Sequence, residues 1–300
     1  MNTAPTAPRG RAYALIVLAY AVCLAAAGVS LVLLDLAEPW NVLVADLVAT
    51  VVIFGFSRAY RNSSFYDAYW SVIPPLIALW WMWRYEMTAD PRAWLMMAGV
   101  WFWGIRLTAN WATYWEGLHH EDWRYPLVRA RAGKAAVLAD FFGIHLFPTL
   151  IVFLACLPMY AVMRFGGAPL GWLDAIAAIV TFGAVLIELI ADLQLHHFIK
   201  HRKVPGSFIT TGLWAWSRHP NYFGETSFWW GLMLFGLAAA PQQALWIVPG
   251  ALAMTAMFLF ASIPLMDQRS LERRPAYRAH MAEVPALFPR PPRRPRRLGT

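Results

Sequence analysis

Apolar runs long enough to cross a membrane recur from one end of this chain to the other, and that recurrence leaves few folds open. Crossing ~30 Å of hydrocarbon as a helix takes about 20 residues. Eight such runs fall near 12–34, 40–57, 69–83, 92–113, 139–163, 170–194, 223–240 and 244–264. The expected fold is therefore all-α: a multi-pass transmembrane helix bundle of seven to eight spans. The third and seventh runs are short, and Pro74-Pro75 interrupts the third, so a re-entrant segment there would reduce the count to seven. Composition agrees, with 59% hydrophobic and only 14% charged residues among 300; roughly a quarter of a soluble domain is charged.

The basic residues test the count. If the N-terminus is cytoplasmic and there are eight spans, 21 of the 25 Lys and Arg fall on the inner side. Only Arg84, Arg92 and Arg164 lie outside, and Arg106 lies within a span. That is the positive-inside bias, and it predicts both termini inside, with a cytoplasmic working face. The first run, 23 residues in "AYALIVLAYAVCLAAAGVSLVLL", exceeds the ~7–15-residue core of a cleaved signal and is expected to stay as an anchor. Cys23 and Cys156 sit in apolar spans and read as core filler. The expected organisation is one transmembrane helical domain over 1–289, followed by a disordered Arg/Pro-rich tail at 290–300 near anionic lipid headgroups. No aromatic residues interleave with the tail's arginines, so no nucleic-acid partner is expected. Trp and Tyr gather at membrane interfaces whatever the function, so 17 Trp do not identify a ligand.

Polar side chains concentrate on that inner side. "GLWAWSRHPNYFGE", residues 212–225, packs Arg218, His219, Asn221, Tyr222 and Glu225 against the start of the seventh run. Three stripes follow the i, i+4 rule for one helical face: Arg106, Asn110 and Tyr114; Glu188, Asp192 and His196; Asn221 and Glu225. Ionisable groups at membrane depth are costly and normally face a protein interior or a wet cavity. One stripe alone could be an interhelical pair such as Arg106 with Glu188; three together read as the walls of a cytoplasmic chamber. Arg202, Lys203, Arg218, His219 and Arg274 suit phosphate. Asp192, Asn221 and Glu225 suit the amide and hydroxyl edges of a nucleotide. Neither G-x-G-x-x-G nor G-x-x-x-x-G-K-[ST] occurs, so side chains between helices would have to hold it. In "LERRPAYRAH", Arg274 and Tyr277 are candidate phosphate or adenosine contacts, with a solvated amphipathic helix as the equal alternative.

These motifs, with "NSSFYDAYWSVIP", "RLTANWATYWEGLHHEDWRY" and "ELIADLQLHHF", resemble an uncharacterised bacterial membrane family over roughly residues 40–290. That family is grouped with the C-terminal domain of steroid 5α-reductases, and more distantly with sterol C14-reductases and isoprenylcysteine carboxyl methyltransferases. The resemblance implies a helix bundle that binds NADPH near its cytoplasmic side, with Asn221 and Glu225 in the cofactor site. Asp192 matches an upstream acid of the reductases, while Glu188 stands where they carry Asn. The resemblance also implies that a Tyr and an acid on earlier helices polarise the substrate; Tyr66, Asp67, Tyr114 and Glu121 are the candidates by position.

The expected activity is NADPH-dependent reduction of a C=C bond in a lipid-soluble enone of steroid, polyprenyl or fatty type. Hydride goes to one carbon, and charge on the conjugated oxygen is stabilised by a Tyr or a neutral carboxyl held in low dielectric. The cofactor site would comprise Asp192, Arg218, His219, Asn221, Tyr222 and Glu225 with Arg106, Asn110, Glu188, Arg202, Arg274 and Tyr277. Trp111 and Trp229 are candidate pocket walls, and no metal is expected. The structural alternative for Asp67 is a helix cap before Trp70, and "HHEDW" could be a solvated loop. The main rival activity is methyl transfer from S-adenosylmethionine, since the R-H-P-x-Y core is shared with the methyltransferases. Lesser rivals are a di-iron oxygenase built on His197 and His201 at i, i+4 and a non-catalytic membrane protein.

Overall fold

The computed structural model describes residues 9–202 and 204–292. Lys203 and tail residues 293–300 lie outside the described residues. Among the described residues the chain is helical, with no strand, and it divides into two compact units, Met1–Gly167 and Ala168–Thr300.

The N-terminal unit holds α1 (Arg9–Leu34), α2 (Trp40–Tyr60), α3 (Tyr69–Arg84) and α4 (Pro91–Tyr114), then a long helical stretch, α5 (Arg124–Phe165). The C-terminal unit holds α6 (Trp172–His201) and α7 (Pro220–Ala239), α8 (Pro241–Arg273) and the short α9 (Tyr277–Glu283). Eight of these, α1 to α8, coincide with the eight apolar runs. Five of them, α1, α2, α5, α6 and α8, are long and apolar enough to cross a membrane. At 16 residues, α3 is about 24 Å long and continues through Pro74 and Pro75. The two prolines therefore do not break the third helix; a hydroxyl pair, Ser71 Oγ to Thr108 Oγ1 at 2.9 Å, ties its first turns to α4.

Local chemistry sets the ends of these helices. Asp90 caps α4 by accepting from Ala93 N (2.9 Å), with Pro91 at the first helical position, where its missing N–H costs nothing. Arg61 ends α2 in the left-handed region (φ 52°), and Asn62 returns its N–H to Ser57 O (2.9 Å). Asn62 Oδ1 then accepts from Ser64 N (2.8 Å) and opens a short 3₁₀ turn, Ser63–Tyr66. Phe65 O in that turn accepts from Tyr20 OH (3.0 Å), which lies ~16 Å along α1 at 1.5 Å per residue. The connection between α2 and α3 thus folds back alongside the middle of α1, carrying Tyr66 and Asp67 inward. Cys23 and Cys156 are both buried and free, the role as core filler that the sequence indicated.

Candidate functional site in the C-terminal unit

The C-terminal unit builds its polar site from close packing of α6 and α7. The two helices run antiparallel, with Asp192 opposite Asn221, Glu188 opposite Gly224 and Thr181 opposite Gly231. A Cβ at Gly224 would lie 2.7 Å from Glu188 Cβ and 2.8 Å from Ala184 O. A Cβ at Gly231 would collide with Thr181 Oγ1. The two glycines let the backbones approach, and that approach lays the α6 acids along α7. Glu188, Asp192 and Glu225 are all buried. Asn221 Nδ2 donates to Asp192 Oδ1 (3.3 Å), and Trp229 Nε1 donates to Glu225 Oε1 (2.8 Å). Trp229, a candidate pocket wall, is thereby fixed one turn beyond Glu225.

The loop before α7 is folded back onto the end of α6. Gln194 Oε1 accepts from Leu213 N (2.9 Å), and Trp214 Nε1 donates to Ala191 O (3.0 Å). Trp214, Ala191 and Ile209 form a small apolar core with Leu195, Phe198 and Leu213 around it. This fixes the start of the R-H-P segment. Arg218 then forks onto Asp267 of α8, with Nε to Oδ1 at 3.3 Å and Nη2 to Oδ2 at 2.6 Å. Its Nη1 donates to Met281 O and Val284 O (3.2 and 2.6 Å). His219 Nε2 lies 3.0 Å from Asp267 Oδ1, and Tyr277 OH donates to the same oxygen (3.3 Å). The His219 and Tyr222 rings stack at 5.4 Å, and Tyr222 packs on Phe258. Backbone bonds from Arg218 N to Pro285 O and from Arg290 N to Trp216 O, both 2.9 Å, sew residues 285–290 to this loop.

Electrostatics follow from that company. Burial pushes the Asp267 carboxyl up, but hydrogen bonds and charge from His219 and Arg218 outweigh it and bring the pKa to about 2. Burial raises the Tyr277 phenol, and Asp267 adds to the effect. Burial and the neighbouring Arg202 and Arg273 lower the pKa of Arg274. Arg202 is exposed and Arg274 half-buried. Among the described residues neither guanidinium meets a carboxylate, so the Arg202–Arg274 neighbourhood is net cationic.

The remaining candidates lie in the N-terminal unit. On α4, Arg106 is buried and Asn110 half-buried, while Tyr114 is 50% exposed. Tyr66 is buried, its hydroxyl 2.8 Å from Thr149 Oγ1. Asp67 does not cap α3; its Oδ1 accepts from Tyr125 OH (2.6 Å). Burial pushes the Asp67 pKa up to about 7 despite that hydrogen bond. Glu121 accepts from Ser63 N (2.7 Å) and pairs with Arg129. Asn62 Nδ2 donates to Leu118 O and His120 O (2.8 and 3.1 Å), so the "HHEDW" loop is tied to the 62–67 turn and not simply solvated. His197 and His201 bring their rings to 4.3 Å, but His201 Nδ1 is bonded to His197 O (2.9 Å).

Asp267 is the central residue that sequence reasoning missed. It lies 48 residues from His219 in an ordinary amphipathic stretch, and no local spacing links the two. Asp140 and His145 were also missed. His145 Nδ1 lies 3.0 Å from Asp140 O across a widened π-type turn, Asp140–Leu146, a five-residue spacing that an i, i+4 search passes over.

Helices, burial and apolar length together define an all-helical, multi-pass membrane protein. The chain belongs to the family described as "Protein of unknown function (DUF1295)", which matches residues 53–284, inside the stretch whose motifs carried the resemblance. It is 29% identical over 265 residues to an uncharacterised protein of Schizosaccharomyces pombe, covering 80% of this chain and 76% of that protein. No solved structure matches.

Proposed function

We propose that this protein is an integral-membrane oxidoreductase that uses NADPH to reduce a C=C bond of a lipid-soluble enone, with the cofactor held on the cytoplasmic side of a bacterial inner membrane. One observation carries the reading: an acid–amide ladder, the buried Glu188, Asp192 and Glu225 with the half-buried Asn221, shares one helix pair, in the same unit as Arg202 and Arg274, cations that meet no carboxylate among the described residues. Carboxylates and an amide along one helix pair accept from and donate to amide and hydroxyl groups, and a nucleotide offers such groups together with phosphate for the cations. The donor set therefore fits a dinucleotide.

In this reading Arg202 and Arg274 take the phosphates, and Tyr277 borders them. Asp192, Asn221 and Glu225 orient the amide and ribose edges, with Glu188 behind them. Arg218 and His219 are engaged by Asp267, so they position Asn221 and Tyr222, and the phosphate contact passes to the other two arginines. When bound, the reduced nicotinamide supplies a hydride. In the N-terminal unit Asp67 has the property wanted of a proton donor, a carboxyl whose pKa burial raises to about 7, so that a large share keeps its proton near neutrality. Tyr66 is a buried hydroxyl of the same turn, whereas Glu121 is neutralised by Arg129 and Tyr114 is half exposed.

The test is binding by the purified full-length protein in nanodiscs. NADPH should bind, and Asn221→Ala and Glu225→Ala should each weaken it about tenfold, which is ~1.4 kcal/mol. Binding of S-adenosylmethionine with none of NADPH would replace this reading with the methyltransferase one.

A further inference from the structure

A pocket of about 180 Å³ lies between α1, α2 and α3 of the N-terminal unit. Its walls are apolar, with Leu24, Leu31, Val42 and Ile77 among them, and only Asp46, Tyr69 and Trp80 bring polar side-chain atoms to it. The Trp80 indole N–H is already donated to Glu38 Oε1 (2.8 Å). Asp46 is 4% exposed and sits within the apolar length of α2. Its Oδ1 accepts from Tyr69 OH (2.7 Å). Among the described residues Oδ2 has no hydrogen-bond partner, and no Lys, Arg or His pairs with the carboxyl.

That arrangement is braced from behind. The Tyr69 ring stacks on Tyr66 at 5.2 Å. The Tyr66 hydroxyl meets Thr149 Oγ1 (2.8 Å), which meets Thr50 Oγ1 (3.0 Å), which in turn reaches Tyr69 OH (3.5 Å). A carboxyl at membrane depth costs several kcal/mol and marks function by default. Here it is held in place by a chain of neutral hydroxyls, with one oxygen left at an apolar pocket. Packing alone would be served better by an apolar side chain at position 46.

We propose that this pocket binds a lipophilic alcohol, its hydrocarbon against the apolar walls and its hydroxyl on Asp46 Oδ2. A hydroxyl both donates and accepts, so it can meet that oxygen whether the carboxyl is ionised or neutral; a ketone or ester meets only the neutral form. An apolar cavity of ~150 Å³ accommodates a benzene-sized molecule. This one therefore takes the hydroxyl-bearing end of a larger molecule, whose remainder leaves past the exposed Leu24 and Gly28 of α1. The pocket belongs wholly to the N-terminal unit, so the inference does not rest on the dinucleotide reading.

Photolabelling tests it. Full-length protein in phosphatidylcholine nanodiscs is labelled with a diazirine-bearing hexadecanol or with the same chain lacking the hydroxyl, and the labelled peptides are mapped by mass spectrometry. The alcohol should label residues 24–31 and 73–77 at least fivefold more than the hydrocarbon does, and Asp46→Ala should remove that excess. Gly28→Leu should remove it too. Gly28 lines the pocket and a Cβ there meets nothing within 4 Å, so a leucine has room to narrow the pocket at its exposed side without displacing Asp46, and the variant keeps the test readable if Asp46→Ala misfolds. Equal labelling by the two probes, or an excess that survives Gly28→Leu, would overturn the proposal.

Discussion

Two carboxyls, one in each unit, keep opposite company. Asp267 accepts from a guanidinium, an imidazole and a phenol, and its pKa falls to about 2. Asp67 accepts from one phenol, Tyr125, and burial carries its pKa up to about 7. The same side chain is thus a fixed charge in one region and a proton carrier near neutrality in the other. The lesson is that polar crowding alone does not mark chemistry. The Arg218–Asp267 cluster, the densest in the molecule's R-H-P segment, reads as a clamp on residues 281–290, whereas the sparser settings of Asp67 and Asp46 keep the freedom that a reaction or a ligand needs.

Breaking the clamp should have the largest effect. Asp267→Ala leaves a buried guanidinium uncompensated, a loss of ~3–5 kcal/mol. It should lower the unfolding temperature of the purified protein and speed amide exchange over residues 281–290; an unchanged exchange pattern there would show that the cluster clamps nothing. Next comes the helix approach that creates the ladder. Gly224→Leu must displace Glu188 and the α6 backbone, costing ~1–3 kcal/mol by overpacking, and it should abolish nucleotide binding in the fraction that folds. The smallest effect sharpens the contrast by pH. The Asp67 pKa is raised from its ordinary 3.8 to about 7, so its contribution to stability is complete below about pH 4 and is lost as pH rises to 7. For Asp267 the sign reverses: its contribution is present above about pH 4 and is lost as pH falls towards 2. Asp67→Asn should therefore flatten the melting temperature between pH 4 and 7 and leave the acid limb unchanged. Solvent reaches the half-buried Asp67, so the change will be modest; a profile that keeps its full slope would show that another group titrates there.

The fold was largely legible because hydrocarbon is a strict solvent. Eight apolar runs could be laid out by length alone, and eight helices stand where they were expected. The α6 and α7 parts of the ladder were legible too, since Asp192 and Glu188, like Asn221 and Glu225, repeat at helical spacing within one element. Legibility stopped where partners come from distant parts of the chain. Asp267 joins His219 across 48 residues, and Glu121 joins Ser63 across 58. Asp46 was within reach, since it is the one acid inside the second apolar run. It was passed over because no second ionisable residue repeats beside it at i, i+4, only the hydroxyl of Thr50; its partner Tyr69 comes from another helix. Arg218 is the converse case, an assignment made by residue type. A cation beside a nucleotide-like motif suggests phosphate, but its neighbours in space include a carboxylate that sequence cannot place.

The central claim is that the α6–α7 ladder holds a nicotinamide dinucleotide, and equilibrium titration of NADPH against wild-type protein and Glu225→Gln in nanodiscs tests it most directly. The account predicts saturable one-to-one binding by the wild type and at least tenfold weaker binding by the variant, with both melting at the same temperature in the absence of nucleotide. Equal affinity in the two folded proteins, or no NADPH binding by the wild type, would contradict it.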